Sequence, residues 1–210
     1  MTDFADLTAG YHRFREGGWE RQHDRWRQLA AGQNPQVMVI GCSDSRIDPS
    51  LVFDAGPGEM FVVRNVANLV PPFELGGFRH GVSAALEFAV TQLGVREIVV
   101  MGHGQCGGVA ASLSRRFADK PPGEGGFIAH WMDVLDSARD RIEAELGHGP
   151  EAVRALELEC VRVSLANLRT FPFVPPREAD GSLRLIGAYF SIVDGVLHVL
   201  DEATDAFAPA

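Results

Sequence analysis

The chain has 210 residues, a formal net charge of -9 and a pI near 5.2, a balance that argues against nucleic acid or anionic membrane as a partner. With 46% hydrophobic and 22% charged residues it reads as a soluble globular protein, long enough for one domain (1-210) with a full-sized core. Three cysteines are too few for a disulfide framework and fit a reducing compartment; without a signal-peptide core or a spanning stretch, the expected location is the cytoplasm.

Phe4, Leu7, Tyr11 and Phe14 recur at three- and four-residue spacing and predict an amphipathic helix over 3-16. Gly17-Gly18 is expected to break it before a second helix carrying Trp19, Trp26 and Leu29. Residues 3-30 thus form a helical arm, which either covers its own domain or docks on a second subunit. Beyond it, Val37-Ile40, Met60-Arg64, Ile98-Met101 and Leu185-Phe190 read as strands. Val196-Leu200 follows as a hairpin partner across Val193-Asp194-Gly195, where Asp-Gly signals a tight turn. Helices are expected near 80-93, 107-116, 127-146 and 151-168, with Phe117-Gly126 and Phe171-Pro176 as irregular connectors. The alternation predicts an α/β fold. Its mainly parallel sheet would hold about four parallel strands plus an antiparallel hairpin strand, flanked by helices and preceded by the N-terminal helical arm.

Two strand ends carry the chemistry. Cys42 opens Cys42-Ser43-Asp44-Ser45-Arg46 after the first strand; His103 and Cys106 lie in Gly102-His103-Gly104-Gln105-Cys106-Gly107-Gly108 after the third. In open parallel sheets, ligands bind outside the carboxyl ends of the strands where strand order reverses, so both turns can share one crevice. Two thiolates and one imidazole leave a tetrahedral zinc one position short, and an open position is where zinc does chemistry. Asp44 and Arg46 read either as a surface ion pair or as a dyad in which Arg46 keeps Asp44 ionised to accept a hydrogen bond from metal-bound water. A freed Asp44 carboxylate would itself complete the ligand set and shut the site. Gly102, Gly104 and Gly107 also spell G-x-G-x-x-G, but no second strand with an acidic ribose ligand follows, so a dinucleotide site is set aside. Close backbone approach around a metal and tight helix packing explain these glycines better. Arg64 reads as a structural hydrogen-bonding arginine, and Cys160 as a packing residue.

With these motifs the chain resembles the β-class carbonic anhydrases, closest to their plant-like branch. The resemblance runs on through Gln33-Asn34-Pro35, the segment 56-70 and Asn167-Val174, nearly the whole chain. It implies a zinc enzyme for reversible hydration of carbon dioxide to bicarbonate and a proton. One Zn2+ per chain would sit on Cys42, His103 and Cys106, with zinc-bound hydroxide assisted by Asp44 and Arg46. It also implies a substrate pocket with Gln33, Phe61, Phe88 and Gly107, lined in part by a dimer partner, and a homodimer or dimer-based assembly whose N-terminal helices embrace the neighbour. Phe88 stands where plant-like members carry a tyrosine. Some bacterial members hold an inhibitory bicarbonate with a tryptophan, an arginine and a tyrosine; Arg64 and Tyr189 match two positions, but Val39 replaces the tryptophan, so a constitutively open zinc is expected. Rival readings are hydrolysis of carbonyl sulfide or carbon disulfide on the same zinc, and a non-catalytic zinc-bearing sensing module.

Overall fold

The computed structural model describes residues 2-76 and 80-210. Its centre is a six-stranded sheet in the order β2-β1-β3-β4-β5-β6, with β1 Val37–Cys42, β2 Met60–Asn65, β3 Glu97–His103, β4 Arg184–Phe190, β5 Leu197–Asp201 and β6 Ala206–Pro209. The first four strands run parallel; β5 and β6 are antiparallel. The expected antiparallel hairpin strand is therefore present, and a second one, β6, extends the edge. The short stretch Ala206–Pro209 carries a proline and one apolar ring, too weak a pattern for a strand on its own, and its ladder with β5 defines it.

Central strands β1 and β3 are buried on both sides, which is why they read as continuous apolar runs. Alternate residues feed two cores. Val39, Val99 and Met101 face one cluster with Val109, Leu113, Leu135, Ile142 and Leu156. Met38, Ile40, Ile98 and Val100 face the other, with Leu86, Val90, Leu165 and Leu168. The 19-residue helix Pro150–Leu168 contributes to both clusters.

The helices follow the expected pattern with local corrections. Labelled in chain order, they are α1 Phe4–Arg13, α2 His23–Ala30, α3 Pro49–Val52, α4 Gly81–Glu87, α5 Gly107–Leu113, α6 Gly126–Met132, α7 Asp136–Leu146, α8 Pro150–Leu168 and α9 Pro175–Ala179. Gly17-Gly18 does not break the arm: the chain passes through both glycines in a wider π-helical turn, Phe14–Trp19, and departs from helical geometry only at Gln22. The helix expected over 127-146 is divided by a tight turn at Asp133–Leu135. Part of the expected Phe171-Pro176 connector winds into α9, where two prolines occupy the first turn, the position at which a missing N–H costs least. The arm buries no residue, and Phe4, Leu7, Tyr11 and Phe14 lie open at 82%, 61%, 56% and 42% exposure. No described helix is long and apolar enough to cross a membrane.

Candidate metal centre

The chain steps from β1 to β2 on one side and returns to β3 on the other, so strand order reverses between β1 and β3. Cys42 ends β1 and His103 ends β3, in register-matched neighbours with Gly41 opposite Met101. Cys106 precedes α5 after a turn in which Gln105 takes a left-handed conformation, φ 57°. Among the described residues, Cys42, His103 and Cys106 form the one group of metal-capable side chains, their ligand atoms lying within 4.8 Å of one another and all three residues buried.

The group fits a cation. His103 Nδ1 is engaged with the Gly104 carbonyl at 2.9 Å, leaving Nε2 as the free ring nitrogen. That Nε2 is buried without any hydrogen-bond partner, a costly state unless a ligand completes it. The two sulfurs stand 4.0 Å apart, close to the roughly 3.8 Å of two thiolates at tetrahedral zinc. The Cys106 thiol, hydrogen-bonded to Cys42, holds Cys42 below the usual thiol range against the opposing effect of burial. The same contact, then burial, pushes Cys106 up. The two thiols thus shift in opposite directions through their shared contact.

Asp44 and Arg46 form a two-pronged pair. Arg46 Nε donates to Asp44 Oδ1 at 2.8 Å and Nη2 donates to Oδ2 at 2.7 Å, while the Arg46 backbone N–H also donates to Oδ1 at 3.0 Å. These bonds hold the Asp44 carboxyl well below the usual carboxylate range. Arg46 Nη2 reaches further, to the Gln105 carbonyl at 2.9 Å, and so ties the first turn to the second. Arg64 has the structural role expected of it: it donates to the Cys42 and Asp44 carbonyls and to the Asp48 carboxylate that caps α3.

The glycines divide by position. A side chain on Gly102 would meet Val161 at 2.8 Å, one on Gly104 would meet the Tyr189 hydroxyl at 2.9 Å, and one on Gly108 would meet Val66 at 2.8 Å. Close approach thus accounts for these three. At Gly107 no atom lies within 4 Å, so its missing side chain leaves open space beside Cys106 instead of serving packing.

The remaining expected pocket residues do not converge on this centre within the chain. Phe61 sits four residues before Asn65, the partner of Cys42, and thus about 13 Å back along β2. Its ring packs against Phe88, centroids 5.9 Å apart, and Phe88 is 45% exposed. Gln33 lies exposed in the linker between α2 and β1. Arg64 and Tyr189 are also separated, on β2 and β4 with two strands between them, so they form no joint anion site.

Two contributors escaped the sequence reading. Asn65 accepts from the Leu69 N–H and donates to the Leu69 carbonyl, both at 2.9 Å, clamping a loop in which Ala67 and Asn68 have positive φ. Glu157, only 3% exposed, accepts from the Cys106 backbone N–H. The available signal was a carboxylate in register with the apolar positions Val161, Leu165 and Leu168 of α8.

Fold and site together define a class: a mainly parallel α/β protein with a buried two-cysteine, one-histidine group able to hold a metal at its strand-order reversal. Residues 37–197 match the family model described as carbonic anhydrase. Beta carbonic anhydrase 3 of Arabidopsis thaliana is 33% identical over 208 residues, covering 96% of this chain and 80% of the relative. The solved β-carbonic anhydrase CcaA superposes with a TM-score of 0.89 at 31% identity, covering 97% of this chain and 90% of the other. One of two tetrameric β-carbonic anhydrases from Sordaria macrospora gives a TM-score of 0.78 at 27% identity, with 94% and 96% covered. The chain belongs to the carbonic anhydrase family, in its β class.

Proposed function

We propose that this chain catalyses the reversible hydration of carbon dioxide to bicarbonate and a proton, with one zinc ion per chain on Cys42 Sγ, His103 Nε2 and Cys106 Sγ. The observation that carries the reading is the convergence of two thiols on a buried imidazole nitrogen that has no other partner. Zinc, when bound, lowers the pKa of a coordinated water towards neutrality, the chemistry that hydration of carbon dioxide requires.

The chain's own residues supply orientation. Asp44 Oδ1 already accepts two hydrogen bonds, from Arg46 N and Nε, whereas Oδ2 accepts one. Oδ2 is therefore the atom with spare capacity to take a hydrogen from the reacting water. Held as a carboxylate, Asp44 only accepts, which directs the water's lone pair at carbon. Arg46 also keeps Asp44 from swinging onto the metal group. The open space at Gly107 gives carbon dioxide room beside Cys106.

The assembly we infer is a homodimer or a multiple of one. Gln33, Phe61 and Phe88 lie away from their own chain's metal group, and the arm presents an unburied apolar face; both make sense if these residues line the neighbour's pocket while the arm wraps it. The Sordaria relative is tetrameric. The deciding experiment is a carbon dioxide hydration assay across pH on protein whose zinc content has been measured. Turnover that scales with zinc is expected; stoichiometric zinc without hydration would sink the proposal.

A further inference from the structure

The metal loop is held from behind by a buried carboxylate that the proposed chemistry does not use. Glu157 lies on α8, 97% removed from solvent, and both its oxygens are engaged. Oε1 accepts from the Cys106 backbone N–H at 2.9 Å, and Oε2 accepts from the Tyr189 hydroxyl at 2.9 Å. Tyr189 is itself buried, and the Arg154 guanidinium lies 3.7 Å from the centre of its ring. A buried carboxylate is expensive unless its oxygens are satisfied, so retaining one here calls for a reason.

The neighbouring glycines are arranged around this network. Gly102 lets α8 pack against the end of β3, since a side chain there would strike Val161, one turn after Glu157. Gly104 leaves room for the Tyr189 hydroxyl, which a side chain would meet at 2.9 Å. Two of the glycines in the metal-bearing turn therefore clear space for the residues that bring Glu157 to Cys106. Without Glu157, the Cys106 N–H would be a buried, unpaired donor immediately after a left-handed residue, Gln105, and the turn would lose one of its ties to the body of the protein.

We propose that Glu157 is a positioning residue for the metal centre, with Tyr189 as its anchor: it fixes the Cys106 turn so that Sγ faces Cys42 and His103. The inference rests on the zinc-site reading above but is independent of the substrate. Outer-shell partners of this kind typically set metal affinity by about 10- to 100-fold.

The test measures zinc affinity by chelator competition, and the thiolate-to-cobalt charge-transfer absorption of the cobalt-loaded full chain. Glu157→Ala is expected to weaken zinc about 10- to 100-fold and to shift or broaden the cobalt band. Glu157→Gln keeps an acceptor for the Cys106 N–H and should restore both to within a few-fold of the parent chain. Tyr189→Phe, which leaves the turn bonded but releases the anchor, should fall between them. It serves as the deciding variant if Glu157→Ala fails to fold. Unchanged affinity and an unchanged cobalt band in Glu157→Ala, or in Tyr189→Phe when that variant decides, would overturn the proposal. So would a Glu157→Gln variant as impaired as Glu157→Ala. Neither readout involves carbon dioxide: a parent chain that binds zinc but does not hydrate carbon dioxide defeats the functional reading and leaves this test intact.

Discussion

The metal end of β1 and β3 and the N-terminal arm are built on opposite terms. At the metal end every ligand is buried, side chains are tied to backbone from several directions, and three glycines are fixed by contacts under 3 Å that a side chain would make. In the arm no residue is buried, and the tie to the body is slender: Leu29 and Arg25 of α2 lie over Gly58, with Arg25 Nε donating to the Pro57 carbonyl at 3.2 Å. The difference teaches that the metal-capable group is brought together within one chain, while the arm's apolar face is left open by that same chain. Each variant below separates those two regions or makes them depend on each other.

The largest effect is expected at the ligands. Cys42→Ser should lose zinc and carbon dioxide hydration together while the sheet persists, as metal analysis, activity and circular dichroism would show. Next comes Asp44→Asn, which should keep zinc and lose about 10²-fold in kcat, the size of a lost proton acceptor; full activity would remove Asp44 from the mechanism. The arm is tested by replacing Phe4, Leu7 and Tyr11 together with Ser. The expected result is a dimer weakened by about 10²-fold or more, as loss of aromatic interface anchors produces, read by sedimentation velocity. Zinc content should be unchanged, and activity should fall with dilution as the dimer dissociates. An unchanged assembly would make the arm mere cover.

How far the residues alone revealed this molecule follows from where the determining forces act. Strands β1 and β3 were legible because burial on both faces demands apolar runs, and β2 and β4 from their own apolar stretches. The metal-capable group was legible because soft donors at strand ends have few other uses. The arm's continuity through Gly17-Gly18 was not, since a π-helical turn spares helix geometry that paired glycines normally end. Strand β6 depends on its ladder with β5, a long-range fact. Glu157 was hidden because a glutamate on a helix usually faces water; only the packing of α8 on Gly102 shows that it cannot. Gln33, Phe61 and Phe88 came from family resemblance, and the assembly proposed above would give them a pocket to line.

Smaller effects sharpen the metal end. Gly108→Ala places a methyl 2.8 Å from Val66 Cγ1 and 3.4 Å from Ala67 Cβ, against a loop already strained at positive φ. Such overpacking should cost about 1-3 kcal/mol in denaturant unfolding. An equivalent methyl at Gly107, with no atom within 4 Å, should cost stability little and slow turnover if carbon dioxide occupies that space.

The smallest effect is a pH signature of the network behind the metal. Burial, then the charge of Glu157, pushes the Tyr189 phenol up from 10.0 to about 12. A group whose folded pKa is raised stabilises the fold below its unfolded pKa, and loses that contribution as pH rises through the folded value. The parent chain should therefore be more stable than Tyr189→Phe up to about pH 10, with the gap closing towards pH 12 as the unfolded chain releases the phenol proton first. Comparing the two chains at each pH cancels the other groups that titrate there, since they are common to both. A gap that stayed constant across the window would mean that the Tyr189 phenol titrates alike in the folded and unfolded chains, so that neither its burial nor the charge of Glu157 shifts it.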